Sequence, residues 1–154
     1  MNCTISSIHY CPVKSVSFQN IDSCEIKKDI GIVGDRIFAF SKDLDLNKAK
    51  LFENNPEERK GKWNKILTLK NSPVLNKYNF LFKGNNLTLT LKDKEVLTIN
   101  TNESREREEL SNKILDLESS LKEPIVLMQN TEFPFFDTSV SNKVDFTNSI
   151  SLLN

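Results

Sequence analysis

The stretch from Tyr78 to Ile99 limits what this chain can fold into more than any other. Leu87, Leu89 and Leu91 alternate with Thr88 and Thr90. A period of two puts the leucines on one face of a strand and the threonines on the other. Lys83-Gly84-Asn85-Asn86 precedes this run and supplies residues that tolerate the positive φ of a tight hairpin, and Lys92-Asp93-Lys94 follows as a second turn. The spacing predicts an antiparallel three-stranded meander over 78–82, 87–91 and 95–99, buried on one face and wet on the other.

One helix is expected to pack onto it, over about 103–121. Leu110, Ile114, Leu117 and Leu121 fall at i, i+4, i+7 and i+11, with Glu106, Glu109, Lys113 and Asp116 on the opposite side. Asn102 is placed to cap the first turn, and Glu103, Glu106, Glu108 and Glu109 put negative charge near the positive end of the helix dipole. Pro124 ends the helix. Ile125-Val126-Leu127-Met128 then reads as a buried strand that closes or extends the sheet.

Upstream, the runs 5–10, 21–27 and 36–41 mix apolar and polar residues between breaks at Pro12, Gly31 and Gly34, and read as separate short strands. The segment 42–63 is charged and centred on Asn54-Asn55-Pro56. It is expected to be a long surface loop, with 57–60 as a possible short helix. The fold class expected is mainly β (α+β): a small barrel-like sheet with one amphipathic helix.

Composition narrows the function classes. The 154 residues suffice to bury a core. Lys plus Arg and Asp plus Glu number 21 each, which argues against a nucleic-acid binder needing a basic excess. An oligonucleotide-binding barrel is further disfavoured by the lack of interleaved basic and aromatic residues. The balance is uneven along the chain: residues 61–102 hold seven basic and two acidic side chains, and residues 103–154 hold five and ten. Solvated faces are the simplest account. No apolar run approaches the ~20 residues that cross a bilayer, and Met1-Asn2-Cys3-Thr4 is unlike a signal peptide. A cytoplasmic protein without a membrane partner is expected. Cys3, Cys11 and Cys24 are odd in number and show no C-x-x-C spacing, which points to reduced thiols. The 18 asparagines read as the codon bias of an AT-rich genome.

Two segments carry possible chemistry. In Tyr10-Cys11-Pro12-Val13-Lys14-Ser15 a strand ends in Pro, and a Lys and a hydroxyl follow at once. An ammonium, a hydroxyl and turn amides together suit phosphate or another anion. In Gly31-Ile32-Val33-Gly34-Asp35-Arg36 a guanidinium opens a strand, where it can grip an oxyanion through two parallel hydrogen bonds. Alone, the first is more often a plain loop and the second a solvated ion pair.

Their order and spacing, continued by Phe38-Ala39-Phe40, resemble the N-terminal β-barrel domain of MOSC proteins, which carry a P-V-K-S turn and then a G-x-x-G-D-R strand start. The Leu-Thr-Leu meander, the helix and the strand after Pro124 fall in the family's order. Asp137 and the Asn148 to Leu152 segment are similar to the entry into the MOSC domain proper. The resemblance implies a barrel domain over 1–130 and the start of a truncated MOSC domain over 131–154. It implies the molybdenum cofactor, a molybdopterin, as the ligand of the full-length protein. Lys14, Ser15 and Arg36 match positions that hold the cofactor's anionic groups, and Asn148 and Ser151 are further candidates. It also implies a missing C-terminal MOSC half that brings an R-F-R-x-N stretch and a reactive cysteine. On that expectation the chain is inactive alone, and the complete protein is a sulfur-transfer or molybdenum-dependent redox enzyme with corresponding partner proteins. The alternative is a non-enzymatic β-barrel module for a partner protein or small anion.

Other residues read as structure. Cys11 stands where the family usually shows an aromatic and is expected to be a small buried hydrophobe. Cys3 and Cys24 read the same way. His9 is the only histidine and forms no dyad. Phe133-Pro134-Phe135-Phe136 is expected to be a packing plug. Trp63 could rim a pocket, but a loop-anchoring role is simpler, and Lys65 stands in a region where the family often has a basic residue.

Overall fold

The computed structural model describes residues 5–16, 18–28, 30–121 and 124–136, which run through nine strands and two α-helices. In chain order these are β1 (Ile8–Tyr10), β2 (Gln19–Ile21), β3 (Ile26–Lys27), β4 (Gly31–Ile32), β5 (Phe38–Phe40) and α1 (Leu46–Asn54). After 3-10 turns at Pro56–Arg59, Trp63–Lys65 and Pro73–Lys77 come β6 (Tyr78–Lys83), β7 (Asn86–Leu91), β8 (Lys94–Asn100), α2 (Ser104–Leu117) and β9 (Leu127–Gln129).

The predicted meander is present as the antiparallel sheet β6-β7-β8. Its register sets Phe80 opposite Leu89 and Leu87 opposite Ile99, and all four are buried. On the outer face the hydroxyls of Thr88 and Thr98 lie 2.8 Å apart. Lys92 and Asp93 take φ of 51° and 61° in the second turn, the left-handed geometry that short hairpins require. Leu110 and Ile114 of α2 close the apolar face and join one core cluster with the sheet.

The mainly β, α+β class holds, with three differences. First, no closed barrel forms among the described residues: β1-β2, β3-β4 and β5-β9 are separate antiparallel pairs of two or three residues per strand, too short to propagate a continuous ladder. The strand after Pro124 extends β5 and closes nothing. Secondly, there are two helices. The expected loop 42–63 contains α1, because the Asp45 carboxylate accepts from the Lys48 amide and Ala49 and Phe52, three apart, share one buried face. The Glu57-to-Lys60 alternative appears as the 3-10 turn Pro56–Arg59. Thirdly, α2 stops at Leu117, short of Leu121, and Asn102 does not cap it. Glu103 is the N-cap residue, while Glu106 reaches back to accept from the Asn100 amide at 2.6 Å.

Strand β5 sits between two cores. Phe38 and Phe40 face the meander, whereas Ala39 joins Leu44, Ala49, Phe52, Ile66, Met128 and Phe135 in a second cluster. A strand buried on both faces shows no polar alternation. Phe135 is fully buried and Phe136 nearly so, which makes the Phe-rich segment the expected plug, although Phe133 stays exposed. No helix among the described residues is long and apolar enough to cross a membrane.

Candidate functional site

The turn after β1 and the start of β5 are laid side by side. The Arg36 amide donates to the Cys11 carbonyl at 2.6 Å, the Phe38 amide to Pro12 at 3.0 Å and the Lys14 amide to Phe38 at 2.8 Å. Val13 thereby forms a parallel bridge with Phe38. The two segments singled out in the sequence are thus adjacent in space. Gly34 suits the turn through its φ of +88°, which side-chain-bearing residues rarely adopt; a Cβ there would meet the Tyr10 ring only in ordinary contact at 3.6 Å.

Asp35 ties the two together. One carboxylate oxygen accepts from the Cys11 amide at 2.8 Å, and the other pairs with Arg36 Nη1 at 2.7 Å. The sequence reading of a solvated pair is corrected here, since Asp35 is buried and Arg36 only partly exposed. Burial pushes the Asp35 carboxyl above its ordinary value, against the opposing pull of the Arg36 charge, the Cys11 amide and the Lys14 charge.

Ser15 and Arg36 both adopt left-handed backbone, with φ of 61° and 52°. This costs a non-glycine residue about 1–2 kcal/mol, and such strain concentrates at functional sites. Both line one cavity of about 1080 Å³, slightly above the ~300–1,000 Å³ range of small-molecule sites. Trp63, Asn76 and Asn79 contribute to its wall. Among the described residues its charged lining side chains are Arg36 and Lys70. A cavity lined by cations and amides, with no carboxylate among the described residues, favours an anion.

The other sequence candidates are placed differently. Lys14 is buried and does not line the cavity; its Nζ lies 5.6 Å from the centroid of the Trp63 ring, which does. Asn148, Ser151 and Asp137 lie outside the described residues, as does Cys3. Lys65 pairs with Asp43 at 3.2 Å, away from the cavity. Lys70 and Asn76, brought in by the loop and 3-10 turn before β6, and Asn79, in β6 itself, carry no local sequence signal. Trp63, read as an anchor, is also a wall of the site.

The Cys11 thiol is not activated as a nucleophile. It is buried, donates to the carbonyls of Val13 and Val16, and is pushed up to about 11 chiefly by burial. Among the described residues no cluster of three or more His, Cys, Asp or Glu side chains is placed to hold a metal ion. Arg36 spends one N-H on Asp35 and lies 5.4 Å over the Phe136 ring, which leaves donors for a ligand oxyanion. No protein-family model, curated protein or solved structure matches the chain.

Proposed function

We propose that this chain is the cofactor-gripping β domain of a MOSC-type molybdenum cofactor protein, acting in the cytoplasm. One observation carries the reading: Ser15 and Arg36, from two segments 21 positions apart, line one cavity whose charged walls are all cationic. The donor set fits a phosphate-bearing pterin, with a guanidinium and a hydroxyl for the phosphate, Asn76 and Asn79 as amide partners for a polar heterocycle, and Trp63 as an aromatic wall. Lys14 adds positive charge from beneath the Trp63 ring. In this reading Asn148 and Ser151 add contacts from the segment that enters the MOSC core. That core supplies the molybdenum chemistry and the encounter with sulfur-transfer or redox partners.

Production of a form extended past Asn154 into the MOSC half, in a host that makes molybdopterin, followed by quantification of molybdenum and pterin in the purified protein, tests the proposal. Pterin is expected to co-purify and to be lost when Lys14, Ser15 and Arg36 are changed together to Ala. Pterin content unchanged in a folded triple variant, or absent from the parent protein while phosphate binds, overturns it. The latter result favours a module for small anions.

A further inference from the structure

Consecutive side chains of an extended strand point to opposite faces, yet at the entry to β5 Arg36 Nη1 donates to Asp35 Oδ2 at 2.7 Å. The turn that lets these neighbours meet has left-handed backbone on both flanks of Asp35, with φ of 88° at Gly34 and 52° at Arg36. Arg36 is also held through its main chain. Its amide donates to the Cys11 carbonyl at 2.6 Å, and its carbonyl accepts from the Phe135 amide at 2.8 Å.

Such a pair is a poor device for stability. The Asp35 side chain is only 7% exposed, and taking a carboxylate out of water offsets much of what its pairing contributes. What the pair fixes is direction. The Cys11 amide donates to Asp35 Oδ1 at 2.8 Å and orients the carboxylate, the carboxylate orients the guanidinium, and the Phe136 ring backs the guanidinium at 5.4 Å. The Arg36 side chain stays 27% exposed at the cavity wall, and its other N-H groups make no hydrogen bond among the described residues. Asp35 itself does not line the cavity.

We infer that Asp35 is the positioning residue of the anion site: it holds the Arg36 guanidinium with its spare N-H groups turned to the cavity before an oxyanion arrives. Arginine has much rotamer freedom to lose, so a guanidinium set in advance binds more tightly than a mobile one. This role rests on the reading of Arg36 as an anion grip and is independent of which anion fills the cavity. It has a diagnostic sign. By its field alone a carboxylate beside an anion site weakens anion binding, whereas a carboxylate that positions the cation strengthens it.

The test is titration of the full chain with sulfate, an oxyanion that keeps its charge across the pH range used, read by the fluorescence of Trp63, the single tryptophan and part of the cavity wall. Asp35→Asn keeps an acceptor for the Cys11 amide but loses the ionic hold on Arg36, and is expected to weaken sulfate about fivefold at pH 7. Arg36→Ala is expected to weaken sulfate as well, and Asp35→Asn added to it to change nothing further, because a positioning residue acts through the residue it positions. A merely structural carboxylate would weaken binding in either background. In the parent, affinity is expected to fall between pH 7 and pH 4 as Asp35, raised by burial, takes up its proton, and to stay flat in Asp35→Asn. The other titratable and charged groups facing Asp35 are Tyr10, Cys11, Lys14 and Arg36, residue types that do not titrate in that range. If Asp35→Asn does not fold by circular dichroism, the pH profile of the parent decides. The proposal is overturned if Asp35→Asn tightens sulfate or leaves it unchanged, if its effect persists in Arg36→Ala, or if the parent profile is flat; each of these leaves the anion grip itself standing. Absence of sulfate binding to the parent overturns the positioning role together with the grip.

Discussion

The Arg59 guanidinium lies 4.0 Å from the centroid of the Phe135 ring, while its N-H groups donate to the carbonyls of Phe52, Glu53 and Phe133. One buried side chain thus ties the end of α1 to the Phe-rich segment. That segment in turn sets Phe136 under Arg36 at the anion cavity.

Removing this tie is expected to be expensive. Arg59→Leu leaves three carbonyls without their donor and is expected to cost about 3 kcal/mol in chemical denaturation, with Arg59→Lys intermediate because an ammonium cannot match the planar fork. Burial lowers the Arg59 guanidinium to about 10. Below that pH it is charged in both folded and unfolded chains, so the loss should be the same at pH 6 and pH 8. A loss under 1 kcal/mol would show that the contacts are peripheral.

Backbone strain at Ser15 separates conformation from chemistry. With φ at 61°, Ser15→Gly is expected to preserve or slightly raise stability, whereas Ser15→Val is expected to lose about 1–2 kcal/mol. Thermal denaturation of both variants checks this. If the valine variant is as stable as the parent, the turn is not strained.

Cys11 is expected to be chemically quiet. Its thiol is raised from 9.0 to about 11, so its thiolate fraction at pH 8 falls about 100-fold, and burial slows access further. In a Cys3→Ser, Cys24→Ser background, a disulfide reagent should modify Cys11 only as fast as the chain unfolds. Because the folded value lies above the unfolded one, the associated stability is complete below pH 9 and is lost as pH rises through 11. Rapid modification of native protein at pH 8 contradicts this arrangement.

Glu118 gives the acid side. Burial would lift its carboxyl, but Lys77 and the Tyr78 hydroxyl both bind Oε1 and together hold it below the ordinary 4.5. A lowered folded value means the unfolded chain takes up protons first, so this stability is present above about pH 4.5 and is lost on acidification below it. Glu118→Gln should flatten that limb of the stability profile. An unchanged acid slope in the variant assigns the effect to other carboxylates. Burial also raises the Tyr78 hydroxyl, reinforced by the Glu118 charge, so Tyr78 remains a donor in alkaline solution.

The site was partly legible in the sequence. Ser15 and Arg36 stood out because a hydroxyl and a guanidinium next to Pro and Gly signal an unusual turn. That they share a cavity follows from three backbone hydrogen bonds between distant segments, which no local pattern encodes. Lys14 is adjacent to Ser15 in the chain, yet the turn sends it into the protein beside Trp63. Helix α1 was hidden for a different reason: Leu46 and Leu51 stay exposed while Ala49 and Phe52 are buried, so its apolar residues show no clear period.

Alone, the sequence determined the meander, because strict alternation bounded by turn residues leaves only one way to bury the leucines. It also determined the apolar stripe of α2 and the chemistry available in the two turn segments. Only the tertiary structure decided that, among the described residues, the short strands pair in twos without closing, α1 packs on β9, and the cavity walls carry Arg36 and Lys70 with no carboxylate. The physical reason is range. Alternation and helical period act over a few residues, whereas pairing of short strands and the sign of charge in a cavity are set by contacts between segments tens of residues apart.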